Sequence, residues 1–103
     1  MKSKRTRALE IPKQVKEKVY ERDNQHCVLC GKYVYLDNAC CHFIARSQGG
    51  LGIEENILTL CSSCHTLFDN SEHRQKLKEY FRDYLKSKYR NWNEKELYYK
   101  KYE

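Results

Sequence analysis

Apolar positions along the 103-residue chain change their period three times. Over residues 11–23 they recur at helical spacing: Val15 and Val19 share a face, and Lys13, Lys16 and Lys18 take the solvated side. Pro12 stands in the first turn, where an amide has no intrahelical partner, and Asp23-Asn24 marks the exit. Alternation then takes over. Tyr33, Val34 and Tyr35 predict a short strand over 32–36, Asp37-Asn38 a turn, and a second strand follows over 39–44. After the irregular Gln48-Gly49-Gly50-Leu51-Gly52, the apolar run 57–60 predicts a further strand and residues 61–68 a short helix. Beyond it Leu77, Tyr80, Phe81, Tyr84 and Leu85 repeat every three or four residues, the stripe of an amphipathic helix. Its other face carries Arg74, Lys76, Lys78, Arg82 and Lys86, suited to lying along a polyanion. Asp69 with Glu72 has capping-box spacing at the start of that helix, and Asn93 with Glu96 caps a last short helix bearing Leu97, Tyr98 and Tyr99. A frayed end, a packed tail and a DNA contact all fit this last segment.

Cysteine spacing adds what periodicity cannot. Of six cysteines, four fall in Cys27-Val28-Leu29-Cys30 and Cys61-Ser62-Ser63-Cys64. Each tight turn aims two thiolates at one point, and two such knuckles complete a tetrahedral zinc site. Gly31, tolerant of positive φ, suits the turn that closes the first knuckle. A disulfide framework is the alternative for a short cysteine-rich chain. Adjacent Cys40 and Cys41 fit a bridge poorly, and no apolar stretch follows the basic start as in a secretory signal, so reduced cysteines in a cytoplasmic setting are expected. Structural zinc contributes about 10–16 kcal/mol in small peptides, so chelation is expected to unfold the centre.

Twenty Lys and Arg against fourteen Asp and Glu give a net charge of +6, which points to nucleic acid as partner. Residues 1–10 read as a flexible basic arm whose Lys2, Lys4, Arg5 and Arg7 either contact phosphates or merely solvate the chain. No run approaches membrane-spanning length, so no membrane partner is expected.

Between the knuckles lie Cys41-His42-Phe43-Ile44-Ala45-Arg46-Ser47-Gln48-Gly49-Gly50 and Glu54-Glu55-Asn56, and His65 directly follows Cys64. This order of His, Asn and His, threaded between two CxxC pairs, resembles the HNH endonucleases, the ββα-metal nucleases of phages and bacteria, over roughly residues 23–70. The resemblance implies a single α+β domain: a small zinc-stabilised ββα-metal, treble-clef-like core over 24–70. It is flanked by the arm (1–10), an N-terminal helix (11–23) and a C-terminal helical extension (71–103), and the Gly-rich segment joins its two strands. Cys27, Cys30, Cys61 and Cys64 would hold structural zinc.

The implied activity is metal-dependent hydrolysis of DNA phosphodiesters, nicking or cutting a duplex to leave 5′ phosphate and 3′ hydroxyl ends. By the same resemblance His42 is the general base, His65 a ligand of one catalytic divalent ion (Mg²⁺, Mn²⁺, Ni²⁺ or Zn²⁺), and Asn56 the residue that holds the strand bearing His42. From the residues alone, Asn56 also fits an ordinary turn, and Arg46 fits either a phosphate clamp or a solvated loop side chain. His26 and His73 read as surface. The host cytoplasm is the expected setting if the chain is phage-encoded, with a larger phage or restriction assembly as a further partner.

Two positions depart from the family. Ala45 stands where a proline is common, which loosens the loop. Cys41 stands where the family places an Asp or His that binds the catalytic ion, and thiolate suits Zn²⁺ rather than Mg²⁺. Either Cys41 binds a softer ion, or a carboxylate such as Asp37, Glu54 or Asp69 substitutes, or His65 and substrate phosphates hold the ion weakly. The last is the expectation, with activity at high metal concentration or within an assembly. A catalytically silent zinc-knuckle module that binds DNA or protein is the main alternative, and an RNA-binding zinc module, its tyrosines stacking on bases, a third.

Overall fold

A computed structural model describes residues 3–70 and 72–100; Met1 and Lys2 of the basic segment, Ser71 of the expected capping stretch, and residues 101–103 lie outside that description. The chain forms α1 (Lys4–Leu9), α2 (Lys13–Arg22), β1 (Cys40–His42), β2 (Ile57–Thr59), α3 (Ser62–Asn70) and α4 (Arg74–Lys88). Single 3₁₀ turns occupy Leu36–Asn38, Arg46–Gln48, Glu54–Asn56 and Glu94–Leu97. The strands pair antiparallel, Cys40 with Thr59, Cys41 with Leu58 and His42 with Ile57. A two-stranded hairpin is marginal by itself. Here α2 packs across both strands and α3 against α4, enclosing Phe43, Ile44, Leu58, Leu60, Phe68, Phe81 and Leu85. Among the described residues no helix is long and apolar enough to cross a membrane.

Several elements differ from expectation. The described part of the basic arm is helical rather than flexible: Ser3 Oγ caps α1 by accepting from the Thr6 amide (3.1 Å), Leu9 is buried, and the Gly52 amide donates to the Ala8 carbonyl (2.9 Å). Tertiary contacts sustain a helix too short to persist alone. The strand expected over 32–36 reduces to one bridge, Tyr33 with His26. Its alternation is real, with Val34 buried between exposed Tyr33 and Tyr35, but the knuckle returns the chain too tightly for a ladder. Gly31 takes φ +78° there.

The capping box at Asp69 and Glu72 does not form. Asp69 turns back to His65, α3 continues to Asn70, and α4 starts after His73 without a side-chain cap. In the apolar stripe of α4, Phe81 and Leu85 are buried, whereas Tyr80 is 49% exposed at its edge. The last segment is packed on its own chain: Leu97 is buried, the Leu51 amide donates to the Leu97 carbonyl (2.8 Å) and the Tyr99 amide to the Gly49 carbonyl (2.7 Å).

One buried ion pair ties these parts together. Arg22 and Asp23 pair through Nε–Oδ1 (2.7 Å) and Nη2–Oδ2 (2.8 Å) with side chains 12% and 0% exposed. Asp23 also accepts from the Thr59 amide (3.0 Å) and the Tyr84 hydroxyl. Arg22 donates to the carbonyls of Glu54 (3.0 Å) and Ile57 (2.8 Å) and to the Tyr89 hydroxyl (3.0 Å). Removing one member leaves its partner charged and unpaired in the interior. Asp23→Ala is therefore expected to lower stability by about 3–5 kcal/mol, read by urea unfolding of the zinc-loaded protein. A loss within about 0.5 kcal/mol, the range of surface substitutions, would show that the pair holds nothing together.

Candidate functional site

Two knuckles meet at one point. The first is a turn between α2 and the Tyr33 bridge, held by the Cys27 amide on the Lys32 carbonyl (2.7 Å) and the Gly31 amide on the Cys27 carbonyl (2.9 Å). The second straddles the start of α3, where the His65 amide reaches the Cys61 carbonyl (2.9 Å). The sulfurs of Cys27, Cys30, Cys61 and Cys64 all lie within 4.8 Å of one another, with Cys30 and Cys61 3.7 Å apart.

Zn–S bonds of about 2.3 Å put the corners of a sulfur tetrahedron about 3.8 Å apart, so four cysteines at this spacing can hold a zinc ion. All six cysteines carry free thiols, which removes the disulfide framework. Burial raises the Cys61 pKa, but hydrogen bonds from the Cys64 amide and from the Cys64, Cys30 and Cys27 thiols outweigh it and lower the pKa to about 7. Burial and contacts within the same cluster hold Cys64 above the usual thiol range, so without an ion the cluster favours a thiolate at Cys61 and not at Cys64. Among the described residues this is the one group of three or more His, Cys, Asp or Glu close enough to hold an ion.

α3 thus serves two faces. Cys64 is buried toward the knuckles, while the next residue, His65, opens into a cavity of about 570 Å³. From the other side β1 sends His42 into the same cavity, and Arg46, Ser47, Gln48, Asp69 and Arg74 add polar lining. His65 Nε2 lies 3.1 Å from Asp69 Oδ2, one helical turn on. Arg74 stacks on Phe68 at 4.6 Å and donates to the Phe68 carbonyl (3.0 Å), which closes the end of α3. The Arg46 carbonyl accepts from the Gly49 amide (2.9 Å), but its side chain makes no hydrogen bond or ion pair among the described residues, which leaves the guanidinium available to an anion.

His42 Nε2 is 2.8 Å from the Leu9 carbonyl. A carbonyl only accepts, so the proton sits on Nε2 and the lone pair on Nδ1. Burial holds the imidazole below its usual pKa range, the Leu9 hydrogen bond acts in the opposite sense, and the positive charges of Arg46 and His65 lower it further. The ring is therefore neutral, and hence basic, at physiological pH. Gly52 makes this approach of α1 possible: a Cβ there would lie 1.8 Å from the Glu10 carbonyl oxygen, next to Leu9.

Asn56 is wholly buried and acts as a piece of backbone. Its Oδ1 accepts from the Ile44 amide (2.8 Å), and its Nδ2 donates to the carbonyls of Ile44 (3.2 Å) and Leu51 (2.8 Å). Its own carbonyl accepts from the Phe43 amide (2.7 Å). The strand expected to run to Ile44 ends at His42 because Asn56 takes over as partner, fixing the path of the chain just after His42. An ordinary turn residue would not be enclosed in this way.

Cys41 is not where a metal ligand would be. Strand alternation gives Cys40 and His42 one face and Cys41 the other. There it is 1% exposed among core side chains, burial pushes its thiol well above the usual range, and its sulfur meets the His42 carbonyl at 3.6 Å. Of the carboxylates considered in its place, Asp69 lies in the cavity with His65, while Asp37 and Glu54 do not line it.

Cys40 and Arg74 also line the cavity and were not singled out as site residues from sequence. Period-two alternation about His42 points to Cys40; Arg74 belongs to the helix face read from sequence as polyanion-facing, but its place in this cavity depends on the packing of another helix. Of the N-terminal cations, Lys4, Arg5 and Arg7 are exposed on α1, the helix whose end touches His42. His26 and His73 are exposed. No protein-family model matches the chain, and no curated protein is similar to it.

Two measurements check these arrangements. Chelation should unfold the protein, with one zinc recovered per chain by metal analysis, and Cys61→Ser should lower that content; a chain that stays folded and metal-free would remove the ion from the fold. Asn56→Asp keeps an acceptor but sets a carboxylate against two carbonyls. With buried groups left unsatisfied at about 1–3 kcal/mol each, urea unfolding should show a loss of at least about 2 kcal/mol, and a neutral outcome would remove Asn56 as the strand's clamp.

Proposed function

We propose that this chain is a metal-dependent DNA endonuclease of the HNH type, its β1–loop–β2–α3 segment serving as a ββα-metal unit. The observation that carries this reading is the convergence of His42 and His65 on one cavity with Arg46, Asp69 and Arg74 around them. The tetracysteine cluster below them supplies structural zinc. His42, neutral and with a free Nδ1 lone pair, takes the proton of a water that attacks the scissile phosphate in line with the departing 3′ oxygen. Arg46 and Arg74 neutralise nonbridging oxygens. His65 and Asp69 are the residues that would hold one divalent ion, which when bound would supply Lewis-acid stabilisation of developing negative charge. Asn56 keeps His42 on station, and the products carry a 5′ phosphate and a 3′ hydroxyl.

Two side-chain ligands are few, so ion affinity is weak and completed by substrate phosphates, with Mg²⁺ and Mn²⁺ suited to a nitrogen and oxygen set. Lys4, Arg5 and Arg7 extend the positive surface from the cavity along α1. A catalytically silent zinc module that binds DNA or protein is the second reading, favoured by the absence, among the described residues, of a second cluster of three metal-binding side chains.

Incubating the zinc-loaded protein with supercoiled plasmid and millimolar Mg²⁺, Mn²⁺, Ni²⁺ or Zn²⁺ decides between them. The expected result is nicked or linear DNA, reduced about 10²–10⁴-fold in His42→Ala. The acidic limb of the rate should fall below the ordinary imidazole pKa of about 6.5, because burial and positive neighbours disfavour the imidazolium. Arg46→Ala removes one such neighbour and should move that limb to higher pH. Folded, DNA-bound protein that fails to cleave with any of these ions would favour the silent module, and cleavage left unchanged in His42→Ala would remove His42 as the base.

A further inference from the structure

A groove of about 690 Å³ runs beside the His42–His65 cavity and shares Cys40 and His65 with it. Its wall carries Tyr33 and Tyr35, which are 50% and 73% exposed, although rings of this size usually lose more surface on folding. They are not loose. Tyr35 packs edge to face on Tyr33 (5.4 Å, 84°), Tyr33 does the same with His26 (5.9 Å, 81°), and the Tyr20 hydroxyl meets that of Tyr33 at 3.5 Å. Aromatic surface held open in this way costs little entropy when a flat ligand covers it.

Charge along the groove is graded. Lys16 lines both the groove and the adjoining space that contains Glu10, His42 and Arg46, so it stands at the junction of the two, where Lys16 and Arg46 outnumber the one carboxylate. Lys32 is a second cation of the groove, while Asp37 and Cys61 line it as well. A carboxylate and a sulfur that is a thiolate when zinc is bound make that part unfavourable for a phosphate and acceptable for a neutral ring. The phosphate belongs at the Lys16 junction.

We propose that this groove takes an unpaired nucleotide adjoining the scissile phosphate, its base stacked on Tyr35 and Tyr33 and its phosphate beside Lys16. Within a duplex the base faces are covered by their neighbours, so only an extruded or single-stranded base can present one to a tyrosine. This deepens the nuclease reading, on which it rests, and names its substrate class: DNA with an overhang, a frayed end or a displaced strand at the cleavage point.

Binding by the full-length, zinc-loaded chain in a His42→Ala background tests it without cleavage. The probes are a blunt duplex and the same duplex with a short single-stranded overhang of either polarity carrying 2-aminopurine. The expected result is affinity about tenfold higher for one overhang than for the blunt duplex, with 2-aminopurine quenched on binding. Tyr35→Ala should lose both effects while still binding the blunt duplex, and Tyr35→Phe should keep them. Because Tyr35 is 73% exposed, its truncation should leave zinc content and unfolding unchanged. Equal affinity for both duplexes, or an overhang preference that survives in Tyr35→Ala, overturns the groove and leaves the nuclease reading standing. No binding to either duplex overturns both.

Discussion

Asp23 carries a negative charge in a place that water does not reach, and the chain is arranged to satisfy it. Arg22 neutralises it from the adjacent position, while the Thr59 amide and the Tyr84 hydroxyl complete its hydrogen bonds. The pair is local in sequence, but its other contacts come from β2, α4 and the loop before β2. Desolvating such a pair is unfavourable unless every polar atom finds a partner. The end of α2, the register of β2 and the approach of α4 therefore have to be right together. A hairpin of two three-residue strands acquires a defined position through that requirement rather than through its own ladder.

The same economy appears at His42. Its strand is short, so its position depends on two neighbours that are not part of the sheet. Asn56 substitutes for a missing backbone partner at Ile44, and Leu9, at the end of α1, accepts the Nε2 proton. Zinc at the four cysteines would anchor the start of α3 and with it His65. Three separate devices thus set one pair of histidines, and the proposed hydrolysis needs all of them. An ion at the knuckles would act on the histidine-lined cavity through α3, because Cys64 and His65 are consecutive.

Much of this was legible from residue spacing. Four cysteines in two tight turns pointed to one site, helical spacing located α2 and α4, and the order of His42, Asn56 and His65 singled out side chains that the fold places around one strand pair. Other features were not legible because they depend on distant partners. Alternation at Tyr33–Tyr35 was right about faces and wrong about a ladder, since pairing needs a second strand and the knuckle supplies a single bridge. Asp69 had a cap's spacing from Glu72, yet its carboxylate found His65 one turn back on its own helix. Cys41 stands where the resembling family has an ion ligand, and its burial could not be read locally until the strand placed it and His42 on opposite faces.

By itself, then, the sequence determined the local chemistry: which cysteines can share an ion, where the long helices run, and that the chain carries a net positive charge. Those properties are set by residue type and by separations of a few positions, which local geometry fixes. Only the tertiary structure decided that α1 closes on His42, that Asn56 and Asp23 are buried hubs, that Cys41 belongs to the core, and that exposed tyrosines line the groove beside the cavity. Most of these depend on groups a dozen or more residues apart meeting in a low-dielectric interior or around a shared opening, and no local pattern encodes which of many possible partners that will be.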